Sequence, residues 1–181
     1  QVPWVVGYSL GARLALGLVA AGHAARALLI GVHPGLQSDT ERRERQQQDA
    51  RWAELLRTEG IAAFSDAWVQ QPVFASQQLV AAAARAARRS ERLRHDPTEL
   101  ARAMVTMSLA VMPDLRATLA TTPIQLMVGA NDRKFRGIAD ALVATTPSLQ
   151  LHVVANSGHD PTLEAPIALA DSIANALKVY Q

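Results

Sequence analysis

The stretch VPWVVGYSLGARLAL, residues 2–16, constrains this chain more than any other. Residues 2–6 are a short apolar run of β-branched and aromatic character, the composition of a buried strand. Gly7 breaks that run. A helical pattern follows from Ser9 to Ala21, with Gly22 placed to end it. A strand that passes into a helix through G-x-S-x-G is the context of a nucleophile elbow. Small residues there let the helix pack close to the strand, and the tight turn projects the serine Oγ above the sheet edge. The next amide, here Leu10 N–H, can donate to a developing oxyanion. Ser9 also has a plainer reading, as the N-cap of an ordinary helix. The strand and helix on either side favour the elbow.

The rest of the chain repeats the alternation. Residues 25–32 read as a second buried strand. The character changes after HPGL, where residues 39–59 form a charged amphipathic helix and 61–71 and 74–95 are helical in pattern. Pro97 opens a helix to about Val111, and Pro113 to Thr121 is a shorter one. Strand character returns at 124–130 and 149–155, with helices expected at 134–145 and 163–179. The order is β-α-β, a helical insertion, then β-α-β-α. It implies a parallel sheet covered on both faces, formed by residues 1–35 and 113–181, with a helical cap at 36–112.

Two further polar residues stand at strand ends. Asp132, in GANDRKF, follows strand 124–130, and His159, in ANSGHDP, follows strand 149–155. An open parallel sheet carries its active site at those ends. Taken singly, Asp132 reads as a turn residue and His159 as a loop residue. Taken together, the order Ser9, Asp132, His159 is similar to that of the α/β-hydrolase superfamily. An imidazole accepts a serine proton when a carboxylate holds its other nitrogen. The remaining histidines are weaker candidates: His23 at a helix end, His33 in the loop before Pro34, His95 exposed, His152 structural within a strand. None forms a metal-binding pair on a helix face, so neither metal nor cofactor is expected.

Charge and composition exclude other classes. The net charge is +2, too small to steer the chain to nucleic acid. Residues 36–112 look basic, yet 11 Arg face 10 Asp and Glu, so the arginines must be weighed one by one. Each is by default a solvated helix residue. No cysteine is present, so there are no disulfides and no thiolate ligands. No apolar run is long enough for a membrane span and no leader is visible, so no membrane partner and a cytoplasmic location are expected.

GYSLGARLAL, HPGLQSDTERRERQQQDARWA, WVQQPVFAS, SLAVMPDL, GANDRKF and SGHD together resemble the 2-succinyl-6-hydroxy-2,4-cyclohexadiene-1-carboxylate synthases of menaquinone biosynthesis. The cap segments are the more specific part, because hydrolases diverge most there. The resemblance implies a lyase that removes a ring proton from 2-succinyl-5-enolpyruvyl-6-hydroxy-3-cyclohexene-1-carboxylate and expels pyruvate. Carried over, Ser9 abstracts the proton, His159 activates Ser9, and Asp132 orients His159. The substrate is a small polycarboxylate, which suits bidentate arginine. Arg13, one turn after Ser9, matches one family arginine. Arg45 in the ER..R motif and Arg92 in the later cap match two more, with Arg89 a weaker alternative to Arg92. Tyr8, Trp68 and Phe74 match aromatic pocket positions, and Lys134 a basic residue that supports the Asp132 loop. This sequence departs from the pattern at Ala12, where a second glycine is usual, at Val69, where tyrosine is frequent, and at Asp160, where asparagine is frequent. A carboxylate at 160 is expected to raise the His159 pKa or repel an anionic substrate.

In this fold the elbow follows the fifth strand, and an earlier loop supplies the second oxyanion donor. The resemblance therefore implies that roughly 75–80 residues of the usual layout lie before Gln1, judged against ordinary domain sizes. The expected structure is an α/β-hydrolase fold that begins partway through its sheet. Its first strands are missing, its oxyanion site is incomplete, and an apolar edge strand is exposed. Two other functions remain open on the residues alone. One is a carboxylesterase or thioesterase with Ser9 as a true nucleophile. The other is an inactive interaction protein.

Overall fold

The computed structural model describes residues 1–178 and divides the chain into two compact units. One comprises Gln1–Pro34 and the chain from Leu115 onward, and the other is Gly35–Asp114.

The first unit is built on four parallel strands in the order β1 (Val5–Tyr8), β2 (Ala27–Ile30), β3 (Ile124–Gly129) and β4 (Gln150–Val154). Every residue of β2 and β3 is buried, as the apolar runs of a sheet covered on both faces require. Leu28, Ile30, Met127 and Val154 pack with Leu169 and Ala176 of helix α9 (Pro166–Lys178). Each such fully buried aliphatic side chain contributes about 1.5–3 kcal/mol. Helix α1 (Leu10–Ala20) buries Ala12, Ala15, Leu16 and Val19. Its Leu10, Leu14 and Leu18, spaced four apart on one face, stay exposed, as do Val2 and Val6 along the edge strand β1.

Gly7 does not break the first strand as the sequence suggests. The strand runs through it, with Gly7 paired to Leu29. What Gly7 supplies is space: a β-carbon there would lie 2.3 Å from Gly11 O and 2.7 Å from Ala12 Cα. The helix-to-strand contact of the elbow therefore depends on the first glycine of the motif. Gly11 meets no such neighbour. Ala12 is fully buried, so the chain accommodates the methyl that replaces the usual glycine.

The second unit contains α2 (Asp39–Thr58), α3 (Gly60–Trp68), a 3-10 helix (Pro72–Leu79), α4 (Ala82–Arg92) and α5 (Pro97–Thr106). Ser38 and Glu41 form a reciprocal capping box at the start of α2. Ala53, Leu56, Phe64 and Ala101 make its core, with Trp52 and Trp68 packed on them. Arg42 ties the unit's two ends together by donating to the carbonyls of Leu36, Ala110 and Met112.

Five helices depart from the sequence expectation, three for reasons visible locally. The 61–71 helix stops at Trp68, because Gln71 before Pro72 takes an extended backbone. The 97–111 helix stops at Thr106. Ser108 beyond it donates from Oγ to Asp49 Oδ2 (2.6 Å) and accepts Ala110 N–H (3.0 Å), a local bond that competes with continuing the helix. The 163–179 helix is split into α8 (Pro161–Glu164) and α9 at Pro166, and residue 179 lies outside the described residues. The 74–95 pattern is also two elements, parted by extended backbone at Val80 and Ala81. The 113–121 segment starts its helix, α6, at Arg116 and ends at Thr121, and α7 covers Arg133–Thr145. Among the described residues no helix is long and apolar enough to cross a membrane.

Candidate active site

Ser9 links β1 to α1 with φ 51° and ψ −109°, a backbone that a non-glycine residue rarely adopts. It stands at the N-cap position, yet its side chain makes no cap bond. Its Oγ lies 3.0 Å from His159 Nε2 instead. The plainer reading of Ser9 as a helix cap is therefore excluded. The positive φ is the strained turn of an elbow, held by Ser9 N–H donating to Ile30 O at 2.8 Å.

Asp132 divides its two oxygens. Oδ1 accepts Phe135 N–H at 3.1 Å and caps α7, while Oδ2 lies 2.7 Å from His159 Nδ1. The helix cap fixes the carboxylate that orients the imidazole. With Nδ1–H donating to Asp132, Nε2 is left as the acceptor for the Ser9 hydroxyl. Asp132 and His159 are both buried, so little water competes for either bond.

Three neighbours hold the ring. Phe135 stacks on His159 at 4.4 Å between centroids, and Tyr8 lies tilted at 5.5 Å. Gly31, with φ 61°, passes beneath: a β-carbon there would come 3.1 Å from His159 Cε1. Tyr8 was a sequence candidate. Phe135 and Gly31 were not, although Phe135 follows Asp132 by one helical turn and Gly31 closes β2 at the strand-end level. Lys134 lies over the Phe135 ring, 5.6 Å from its centroid.

Asp160 is buried and caps α8. Its Oδ1 accepts Leu163 N–H (3.2 Å) and the Thr162 hydroxyl (2.5 Å). Its carboxylate is thus engaged by the start of the next helix.

Leu10 opens α1, where first-turn amides have no intrahelical partner, and Arg13 is half-buried one turn further along. The other candidates belong to the second unit. Arg45 Nε donates to the buried Asp49 at 2.8 Å, and Ser108 bonds the same oxygen. Trp68 stacks on Phe64 (5.2 Å) and contacts Trp52 edge-on, so its ring belongs to that unit's aromatic core; Phe74 lies 6.1 Å from it. Arg92 is in the last turn of α4. Arg89 is held by two bonds to Asp66, 2.7 and 2.9 Å, which keep the Asp66 carboxyl below its ordinary pKa. Among the described residues no group of three His, Asp or Glu side chains could hold a metal ion.

A parallel sheet, an elbow serine and a Ser–His–Asp hydrogen-bond chain define the α/β hydrolases, and residues 1–172 match the alpha/beta hydrolase family. Within that class, the chain is 39% identical over 180 residues to the 2-succinyl-6-hydroxy-2,4-cyclohexadiene-1-carboxylate synthase of Salmonella paratyphi A. The match covers 97% of this chain and 68% of the Salmonella protein. The chain belongs to this synthase family. MenH from S. aureus superimposes with a TM-score of 0.92 at 27% identity, over 98% of this chain and 68% of that one. An esterase from Thermogutta terrifontis shares the fold, with a TM-score of 0.80 at 22% identity, over 97% and 64% of the two chains.

Proposed function

We propose that the natural protein carrying these residues is a lyase of menaquinone biosynthesis. It would eliminate pyruvate from 2-succinyl-5-enolpyruvyl-6-hydroxy-3-cyclohexene-1-carboxylate to give 2-succinyl-6-hydroxy-2,4-cyclohexadiene-1-carboxylate. The similarity to the Salmonella synthase over nearly the whole chain carries this reading. The hydrogen-bond chain from Ser9 through His159 to Asp132 supports the way the chemistry would run. Ser9 Oγ takes the ring proton while its own proton passes to His159 Nε2. Asp132 compensates the imidazolium charge. The electron pair left on the ring forms the new double bond, and the C–O bond to the enolpyruvyl group breaks. The departing enolate gains a proton at its methylene carbon and leaves as pyruvate. No acyl-enzyme is needed.

The Leu10 N–H is assigned as a donor to developing negative charge. Arg13, Arg45 and Arg92 are assigned to the substrate carboxylates, and Tyr8, Trp68 and Phe74 to its ring contacts. The Asp49 ion pair supports Arg45 as a preorganised guanidinium. The test supplies the enolpyruvyl substrate to the full natural protein and follows pyruvate. Ser9→Ala is expected to lose about 10²–10⁴-fold in rate, the usual worth of a positioned base. Turnover of p-nitrophenyl esters without pyruvate release would establish an esterase instead.

A further inference from the structure

His159 lies in the connection between β4, which ends at Val154, and α8, which begins at Pro161. One side chain pins that connection. Glu164, the last residue of α8, accepts Gly158 N–H through Oε2 at 2.7 Å and Asp160 N–H through Oε1 at 3.1 Å. A single carboxylate thus holds the amides immediately before and after His159, by the stronger, charge-assisted kind of bond. The end of β3 forms the floor of the same loop: a β-carbon on Gly129 would stand 2.1 Å from Gly158 O. Capping α8 accounts for the bond to Asp160 N–H. It does not account for the bond to Gly158 N–H, which lies outside that helix.

We propose that Glu164 is a positioning residue for the relay: by clamping the amides on both sides of His159 it holds the imidazole in line between Ser9 Oγ and Asp132 Oδ2. The kinetic consequence rests on the function proposed above, whereas the positioning does not. Glutamine at 164 offers one acceptor oxygen where the carboxylate offers two, so one of the two amides loses its partner.

The test is proton NMR of the low-field His159 Nδ1–H, read beside pyruvate release in the full natural protein. Glu164→Gln should shift and broaden that resonance, and lower kcat by about 10- to 100-fold with KM little changed. Thr162→Ala removes the hydroxyl bonded to Asp160 Oδ1 and loosens the α8 cap while leaving both clamp bonds. It should leave the resonance in place. A wild-type resonance in Glu164→Gln overturns the proposal, as does an equal shift in both variants, which would reduce Glu164 to a helix cap. Should Glu164→Gln fail to fold, amide exchange in the wild type decides. Protection of both Gly158 and Asp160 supports the clamp, and rapid exchange at either overturns it. Absence of pyruvate from the wild type would sink the synthase reading and leave the NMR comparison intact.

Discussion

Ser9 occupies a helix N-cap and caps nothing. Its φ of 51° turns the hydroxyl toward His159, and that conformation is stored strain. Ser9, Asp132 and His159 were legible as a set because residue type and strand-end position are written along the chain. Phe135 and Gly31 were not, because their meaning lies in a contact with a residue distant in sequence. The capping role of Asp160 was hidden for the same reason: only the fold shows its Oδ1 accepting Leu163 N–H at the start of α8. Gly31 carries a prediction. In Gly31→Ala the methyl presses His159 Cε1 from 3.1 Å, on a backbone with positive φ. The left-handed conformation costs an L-residue about 1–2 kcal/mol. Displacement of the ring should lower pyruvate release on the order of tenfold. Thermal unfolding and turnover of the variant check both effects. Wild-type turnover would show that Gly31 does not set the ring position.

At the level of elements, the strand pattern at residues 25–32 told that β2 is buried, whereas residues 2–6, read as a buried strand, leave Val2 and Val6 exposed, and the helix read across Pro166 is split there. The 3-10 helix and the early end of α5 were hidden, since they depend on the break at Val80 and on the Ser108–Asp49 bond. Gln125 illustrates a buried polar side chain made acceptable by its neighbours. Near the start of β3, it donates to Ala176 O (3.0 Å) and meets His152 Nε2 through Oε1 (2.6 Å). Since Gln125 Oε1 accepts, His152 carries its proton on Nε2. Burial lowers the His152 pKa from its ordinary 6.5. The unfolded chain therefore takes up that proton more readily than the folded one, and acidification below about pH 6.5 draws stability from the fold. Denaturation midpoints compared near pH 7 and pH 5 should fall more steeply in the wild type than in His152→Gln, whose amide keeps a donor for Gln125. Equal slopes would remove His152 from the acid response.

For the whole molecule, the order of strands and helices announced a parallel α/β sheet, and the sheet has that form. The linear sequence held no statement of which strands neighbour which; that follows from crossovers that place β2 between β1 and β3. The family was readable because the cap segments are distinctive in their own right. The chain spans 68% of the length of the Salmonella synthase. In the proposed proton relay Ser9 is never acylated. Intact-mass spectrometry during turnover of the enolpyruvyl substrate, with pyruvate followed in parallel, tests it most directly. The predicted result is steady pyruvate release with Ser9 at unmodified mass throughout. A covalent adduct on Ser9 that forms and decays at the rate of turnover would contradict it.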